Sequence, residues 1–117
     1  MTAKLAFTCG DPAGVGPEII AGWLAAHPAE AKDLAIIGAA SWLATLDGPA
    51  EKIAVGLEAF AAVPGQPTGE GALVAWAAME RAAAGCKAGE FSGVVTGPVS
   101  KAELARIGYE FPGETEL

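Results

Sequence analysis

The chain has 117 residues, of which 52% are hydrophobic, and its 14 acidic and 7 basic side chains give a formal net charge of −7. This length suits one small domain, and the apolar content excludes an intrinsically disordered chain. The acidic balance argues against a nucleic-acid-binding protein, which would present a basic surface. The longest apolar stretch, 34–46, is shorter than the roughly 18 residues that a membrane-spanning helix needs. With only two isolated cysteines, Cys9 and Cys86, we expect a cytoplasmic protein.

Segments typical of strands and helices alternate along the chain, which predicts a parallel α/β fold. The predicted strands lie at 4–8, 34–37, within 53–63 and at 93–96. The predicted helices lie at 17–27, from Trp42 to Leu46, at 72–84 and at 100–107. Gly85 is expected to end the third helix as its C-cap. Residues 111–117 resemble a loop that enters a further helix, so we expect a fragment of a longer protein, with an ordinary frayed terminus as the alternative.

A glycine-rich loop at 10–18, with the sequence GDPAGVGPE, lies between the first strand and the first helix. Ligands bind at the carboxyl ends of strands in α/β sheets, and glycines there allow a close backbone approach. The loop lacks the dinucleotide-binding fingerprint, because Ile19 stands where the third glycine would fall. It also lacks the Gly-Lys-Ser/Thr of a phosphate-binding P-loop. A ligand-binding loop and a purely structural turn therefore both remain open.

Two further segments contain candidate binding residues. In the segment TGPVSK at 96–101, Thr96 stands at the carboxyl end of a strand and Lys101 in the first turn of the next helix. A lysine there opposes the helix dipole unless it has an anionic partner, so an anion-binding lysine and a merely solvated one both remain open. In the segment GETE at 113–116, helix capping is the first interpretation. The single histidine, His27, precedes Pro28 and is expected to interact with carbonyl groups at a helix end.

Together these segments resemble the N-terminal part of the 4-hydroxythreonine-4-phosphate dehydrogenase family. The matching segments are GDPAGVGPE at 10–18, GEF at 89–91, TGPVSK at 96–101 and FPGETE at 111–116. Each motif is weak alone, but four in register are specific. The resemblance covers residues 1–117 and only about the first third of a family member, so the chain is interpreted as the N-terminal part of an α/β dehydrogenase.

The resemblance implies the fold of isocitrate and isopropylmalate dehydrogenases and a homodimer when full length. It implies oxidation of 4-phosphohydroxy-L-threonine with NAD or NADP and a divalent metal (Zn, Mg or Co), on the way to vitamin B6. The metal ligands and most cofactor contacts are expected beyond Leu117, so no catalytic residue is assigned here and the fragment alone is expected to be inactive.

Carried over to this sequence, the resemblance assigns substrate contacts to Thr115, Glu114 and Lys101. It also implies that Gly10, Asp11, Gly14, Gly16 and Thr96 line the active cleft. Glu114 departs from the family pattern, because the family has a histidine at this position. The alternatives are a related dehydrogenase that acts on another phosphorylated hydroxy acid or a dihydrodiol carboxylate, and an inactive, truncated binding protein. An unrelated small α/β binding module is a further alternative.

Overall fold

A four-stranded parallel sheet organises the computed structural model, which describes residues 4–57 and 59–108. The strands are β1 (Lys4–Thr8), β2 (Leu34–Gly38), β3 (Glu51–Ala54) and β4 (Phe91–Thr96), in the spatial order β3-β2-β1-β4. The helices are α1 (Gly16–Ala26), α2 (Pro28–Ala31), α3 (Ala40–Leu43), α4 (Gly69–Lys87) and α5 (Lys101–Arg106). The predicted parallel α/β fold is confirmed in this region. None of the helices in the two described ranges is long and apolar enough to cross a membrane.

Both faces of the sheet are covered by helices, because successive strand residues point to opposite sides. On one face, Ala6 of β1 packs in a core that includes Val74 and Ala78 of α4. On the other face, Phe7 packs against a core that includes Ile20 of α1 and Leu43 of α3. Helix α5 lies on the α4 side, where Leu104 packs against Ala72 and Met79. Strands buried in this way have apolar residues at consecutive positions, as Leu34–Gly38 has.

Several element boundaries differ from the sequence prediction. Strand β3 occupies Glu51–Ala54, and α3 occupies Ala40–Leu43, two residues before the predicted Trp42. Helix α4 begins at Gly69 rather than at residue 72, because the Thr68 hydroxyl accepts a hydrogen bond from the Gly71 N–H at 3.0 Å and caps the helix.

The prediction that Gly85 ends the third helix is wrong. Helix α4 continues to Lys87, and the glycine with a positive φ of 79° is Gly89, two residues beyond it. Gly85 is buried, and a Cβ atom on it would lie 2.3 and 2.4 Å from ring carbons of Phe91. This glycine therefore serves the packing of α4 on β4 instead of the end of the helix.

A two-pronged ion pair fastens the same end of α4 to the start of β4. The Arg81 guanidinium donates to the two carboxylate oxygens of Glu90 at 2.8 and 3.0 Å. These hydrogen bonds lower the pKa of Glu90 below its ordinary value. The Arg81 guanidinium carbon also lies 5.5 Å from the ring centroid of Phe91, the first residue of β4. One arginine side chain therefore contacts both Glu90 and Phe91.

We predict opposite effects for alanine at two glycines that lie within helices. Gly85→Ala should lower the free energy of unfolding by about 2 kcal/mol, because its methyl group overlaps the buried Phe91 ring. Gly22→Ala on α1 should raise it by about 0.5–1 kcal/mol, since nothing lies within 4 Å of the added Cβ and alanine favours helix. Urea unfolding followed by circular dichroism measures both values. Effects of the same sign would contradict the packing role of Gly85.

Candidate functional site

The order of the strands creates a crevice between β1 and β4. The two strands are neighbours, but the chain leaves them towards opposite faces of the sheet. After β1 it enters α1, which packs on one face, and after β4 it enters α5, which packs with α4 on the other. In open α/β sheets such a reversal of direction is where ligands bind, outside the carboxyl ends of the strands. The two loops concerned are 9–15 and 97–100, which contain two of the motifs found in the sequence.

Direct backbone contact joins these two loops at the base of the crevice. The Asp11 N–H donates to the Pro98 carbonyl oxygen at 2.8 Å, and the Gly97 N–H donates to the Thr8 carbonyl oxygen at 3.0 Å. A Cβ atom on Gly10 would lie 2.3 Å from the Pro98 oxygen, and one on Gly97 would lie 2.6 Å from the Cys9 oxygen. The glycines are therefore required by the close approach of the two backbones.

The carboxyl end of β1 also contains buried polar groups. Asp11 is 4% exposed, and its Oδ1 accepts a hydrogen bond from the Ala13 N–H at 2.8 Å, which shapes the turn. The other oxygen, Oδ2, and the Thr8 hydroxyl find no hydrogen-bond partner among the described residues. Burial raises the pKa of the neighbouring Cys9 thiol to about 12. Cys9 is consequently a neutral side chain of the core and is not an activated nucleophile.

The candidate cleft residues differ in their exposure. Gly14 and Thr96 are exposed at the carboxyl ends of β1 and β4, whereas Gly10, Asp11 and Gly16 are buried beneath them. The structure thus brings these five residues to one edge of the sheet. Two of them are accessible at its surface, and the other three are buried in the loop and the helix start behind it.

Lys101 stands at the same edge and is exposed in the first turn of α5. Ser100 caps this helix, because its hydroxyl accepts a hydrogen bond from the Glu103 N–H at 3.3 Å. The other two candidate substrate contacts, Glu114 and Thr115, lie outside the described residues, and their assignment stays a prediction.

An additional cavity of about 260 Å³ lies beside the glycine-rich loop. One wall is formed by Pro12, Gly14, Pro17 and Glu18, and another by Ala39, Ser41 and Trp42 at the start of α3. The loop after β3 closes it with Phe60–Ala62 and Pro64. The sequence analysis does not predict this cavity, because the loop after β3 that completes it comes from a distant part of the chain. Trp42 also packs, partly buried, against the cores on both faces of the sheet. The one available signal was the length of irregular chain between the predicted third strand and the next helix.

The single histidine does not belong to this edge. His27 Nδ1 lies 2.9 Å from the Trp23 carbonyl oxygen, and its ring stacks on Trp23 with centroids 4.3 Å apart. This confirms the predicted interaction at the end of α1. Within 4–57 and 59–108, no three metal-ligating side chains come together.

Comparison with known proteins fits the fold and the position of the motifs. The sequence profile of a family described as "Pyridoxal phosphate biosynthetic protein PdxA" matches residues 19–117. The chain belongs to the PdxA family.

Curated relatives of this chain are named 4-hydroxythreonine-4-phosphate dehydrogenase. The protein of Zymomonas mobilis is 38% identical over 131 residues, which cover 97% of this chain and 39% of the relative. The protein of Erythrobacter litoralis is 36% identical over 135 residues, which cover 97% of this chain and 40% of the relative. The chain therefore spans about two fifths of the length of the curated relatives that it matches.

Solved structures confirm the fold. A 4-hydroxythreonine-4-phosphate dehydrogenase from Klebsiella pneumoniae superposes with a TM-score of 0.81 at 24% identity, covering 98% of this chain and 43% of the other. A terephthalate 1,2-cis-dihydrodiol dehydrogenase from Burkholderia xenovorans gives a TM-score of 0.76 at 23% identity, covering 97% and 39%. The expected α/β dehydrogenase fold is thus confirmed, and the chain contains part of it.

Alanine substitutions at two glycines with positive φ, Gly10 and Gly48, test whether contact between loops 9–15 and 97–100 requires a glycine at position 10. Gly10→Ala should lower the free energy of unfolding by about 3 kcal/mol or more, because its φ is 69° and its Cβ meets the Pro98 oxygen. Gly48→Ala should cost only about 1–2 kcal/mol, since its φ is 102° but nothing lies within 4 Å. Urea titration of both variants gives the comparison. Equal losses would show that backbone conformation, and not contact between the loops, demands Gly10.

Proposed function

We propose that this chain supplies one wall of the active site of a metal-assisted, NAD(P)-dependent dehydrogenase. The substrate would be 4-phosphohydroxy-L-threonine, oxidised in the cytoplasm on the route to pyridoxal phosphate. Membership of the PdxA family supports this proposal. The structural observation that carries it is the meeting of loops 9–15 and 97–100 at the crevice between β1 and β4. By the same resemblance, we infer that the full-length protein is a homodimer.

Charge supports an anionic, phosphorylated substrate at the α5 side of the crevice. The exposed ammonium group of Lys101 lies in the first helical turn, where the helix dipole already favours an anion. Their positive potentials add, so a phosphate group placed there would gain a charge-assisted contact. Thr115 would contact the same substrate through its hydroxyl group. Gly14 and Thr96 would line the exposed cleft, while Gly10, Asp11 and Gly16 hold its floor in place.

The nicotinamide cofactor would accept a hydride from the substrate carbon that bears the hydroxyl group. The apolar cavity beside Gly14 and Glu18 is of a kind that fits part of such a cofactor. A metal does not fit the described residues in the same sense, because they contain no group of three ligands. By the resemblance, its ligands would lie beyond Leu117.

Turnover of 4-phosphohydroxy-L-threonine by a longer polypeptide that contains this sequence is the direct test. We expect reduced nicotinamide to form with NAD or NADP and a divalent metal, and no turnover by residues 1–117 alone. Lys101→Ala and Thr115→Ala should each lower kcat/KM about tenfold to a hundredfold, the effect of losing a charge-assisted or substrate hydrogen bond. Glu30→Gln, an exposed acid on α2, serves as the control. An inactive longer protein that binds no cofactor would support a non-catalytic binding protein instead.

Glu114 supports a second candidate function, in which the substrate is another phosphorylated hydroxy acid or a dihydrodiol carboxylate. A carboxylate in place of the family histidine would repel an adjacent phosphate. If 4-phosphohydroxy-L-threonine is the substrate, Glu114→His in the longer polypeptide should raise kcat/KM about tenfold, because one repulsive charge is removed. No gain in this assay would favour the second candidate, and Glu30→Gln controls for the change in net charge.

A further inference from the structure

The carboxylate of Asp11 stands at the carboxyl edge of the sheet but is enclosed by the loop that contains it. The residue is 4% exposed. Its Oδ1 accepts the Ala13 N–H at 2.8 Å, and its Oδ2 is buried without a hydrogen-bond partner among the described residues. A ligand in the crevice therefore does not reach Oδ2, and Oδ1 is already used within the turn. Any contribution of this side chain to the site has to pass through the backbone around it.

Two hydrogen bonds close the segment from Asp11 to Gly14 into a turn. Besides the bond to the side chain, the Gly14 N–H donates to the Asp11 carbonyl oxygen at 2.9 Å. An aspartate or asparagine that accepts the N–H two residues later favours such a turn over other loop conformations. The turn requires an oxygen acceptor but no negative charge, since an amide oxygen accepts the same N–H. By restricting the turn, the side chain also fixes the direction in which the Asp11 N–H points.

The Asp11 N–H points to the other loop of the crevice. It donates to the Pro98 carbonyl oxygen at 2.8 Å. The Pro98 ring also lies close to the start of α1, because a Cβ atom on Gly16 would stand 3.5 Å from its Cδ. Pro98 comes two residues before Ser100, the residue that caps α5. The start of α5 is therefore held by contacts with the glycine-rich loop and with the helix that follows it.

Lys101 depends on this contact, because it is exposed and is the first residue of α5. Only Val99 and Ser100 separate it from Pro98. Val99 is partly buried against the core that α4 and α5 share, and the Ser100 hydroxyl caps the helix. The link is short and both of its residues are held in place, so a displacement of Pro98 would be transmitted to Lys101.

We propose that Asp11 is a positioning residue, whose turn holds Pro98 and thereby sets the place of the Lys101 ammonium group beside the substrate. The assignment of a substrate anion to Lys101 rests on the proposed function. The connection from Asp11 through Pro98 to the start of α5 does not depend on it. Exact placement matters for the reaction, because a displacement of about 1 Å can lower a rate about a hundredfold.

Kinetics of the longer polypeptide with 4-phosphohydroxy-L-threonine test the role of Asp11 towards the substrate. Asp11→Ala removes the acceptor of the turn and should raise KM for this substrate about tenfold, while kcat changes less than about threefold. Asp11→Asn keeps the acceptor and should restore KM to within about twofold of the original value. Asp47→Ala, the same substitution at an exposed aspartate, is the control and should leave both constants unchanged.

A combined variant separates positioning from a general loss of structure. If Asp11 acts through Lys101, Asp11→Ala should change KM less than about twofold when Lys101→Ala is already present, because the contact that it positions is gone. A weakened fold would raise KM in both backgrounds alike, and that result would overturn the proposal. So would a KM that Asp11→Ala leaves unchanged, or equal losses in Asp11→Ala and Asp11→Asn.

Hydrogen exchange of the same polypeptide, followed by mass spectrometry, tests the structural connection without substrate. In Asp11→Ala, peptides that cover 97–104 should exchange about tenfold faster, because the Glu103 and Leu104 amides donate to Ser100 at the cap of α5. Peptides of β2 should keep their original rate. Unchanged exchange over 97–104, or equal acceleration in β2, would contradict the proposed connection.

The two measurements also judge the proposed function separately. A polypeptide without turnover that exchanges faster over 97–104 on Asp11→Ala would refute the proposed function and support the connection between the loops. An active enzyme whose KM for the substrate is the same with aspartate and with alanine at position 11 would keep the function and lose this assignment.

Discussion

Backbone contact between the loops after β1 and β4 is the constraint on which the candidate site depends. The carbonyl oxygen of Cys9 lies so close to Gly16 and Gly97 that a Cβ on either would stand 2.3 or 2.6 Å from it. Two hydrogen bonds close the same contact. Side chains at these positions would separate the loops, and the crevice between β1 and β4 would lose the backbone contacts at its base. Gly10, Gly16 and Gly97 are thus explained by packing before any ligand is considered.

The same principle governs the two faces of the sheet. Helix α4 packs on the sheet partly through small residues, among them Ala78 and Ala82, which are at most 1% exposed. Alanine has the highest helix propensity and lets a helix axis approach closely, while Gly85 admits the Phe91 ring at the end. Only 7% of the residues are aromatic. The core can be filled with so few large side chains because the helix backbone lies close to the sheet. This close packing holds α4 and β4 in one relative position. The position of β4 in turn determines where the chain continues into α5.

Two side chains of opposite charge lie at the carboxyl edge of the sheet, each in the first turn of a helix. Lys101 lies at the start of α5 and Glu18 near the start of α1, which pack on opposite faces of the sheet. The reversal of chain direction between β1 and β4 brings the two loops together at this edge.

The sequence by itself determined the alternation of elements, the two glycine-containing loops and the family. Local signals suffice there: proline in the first turn of α1, consecutive apolar residues in β2 and motif spacing are properties of neighbouring residues. Tertiary structure decided the rest. Gly85 resembled a helix end because its contact is with Phe91 in another element. The cavity beside Trp42 was not predicted because the loop that completes it comes from beyond β3. Which loops share an edge follows from strand order, and strand order depends on contacts between residues far apart in the chain.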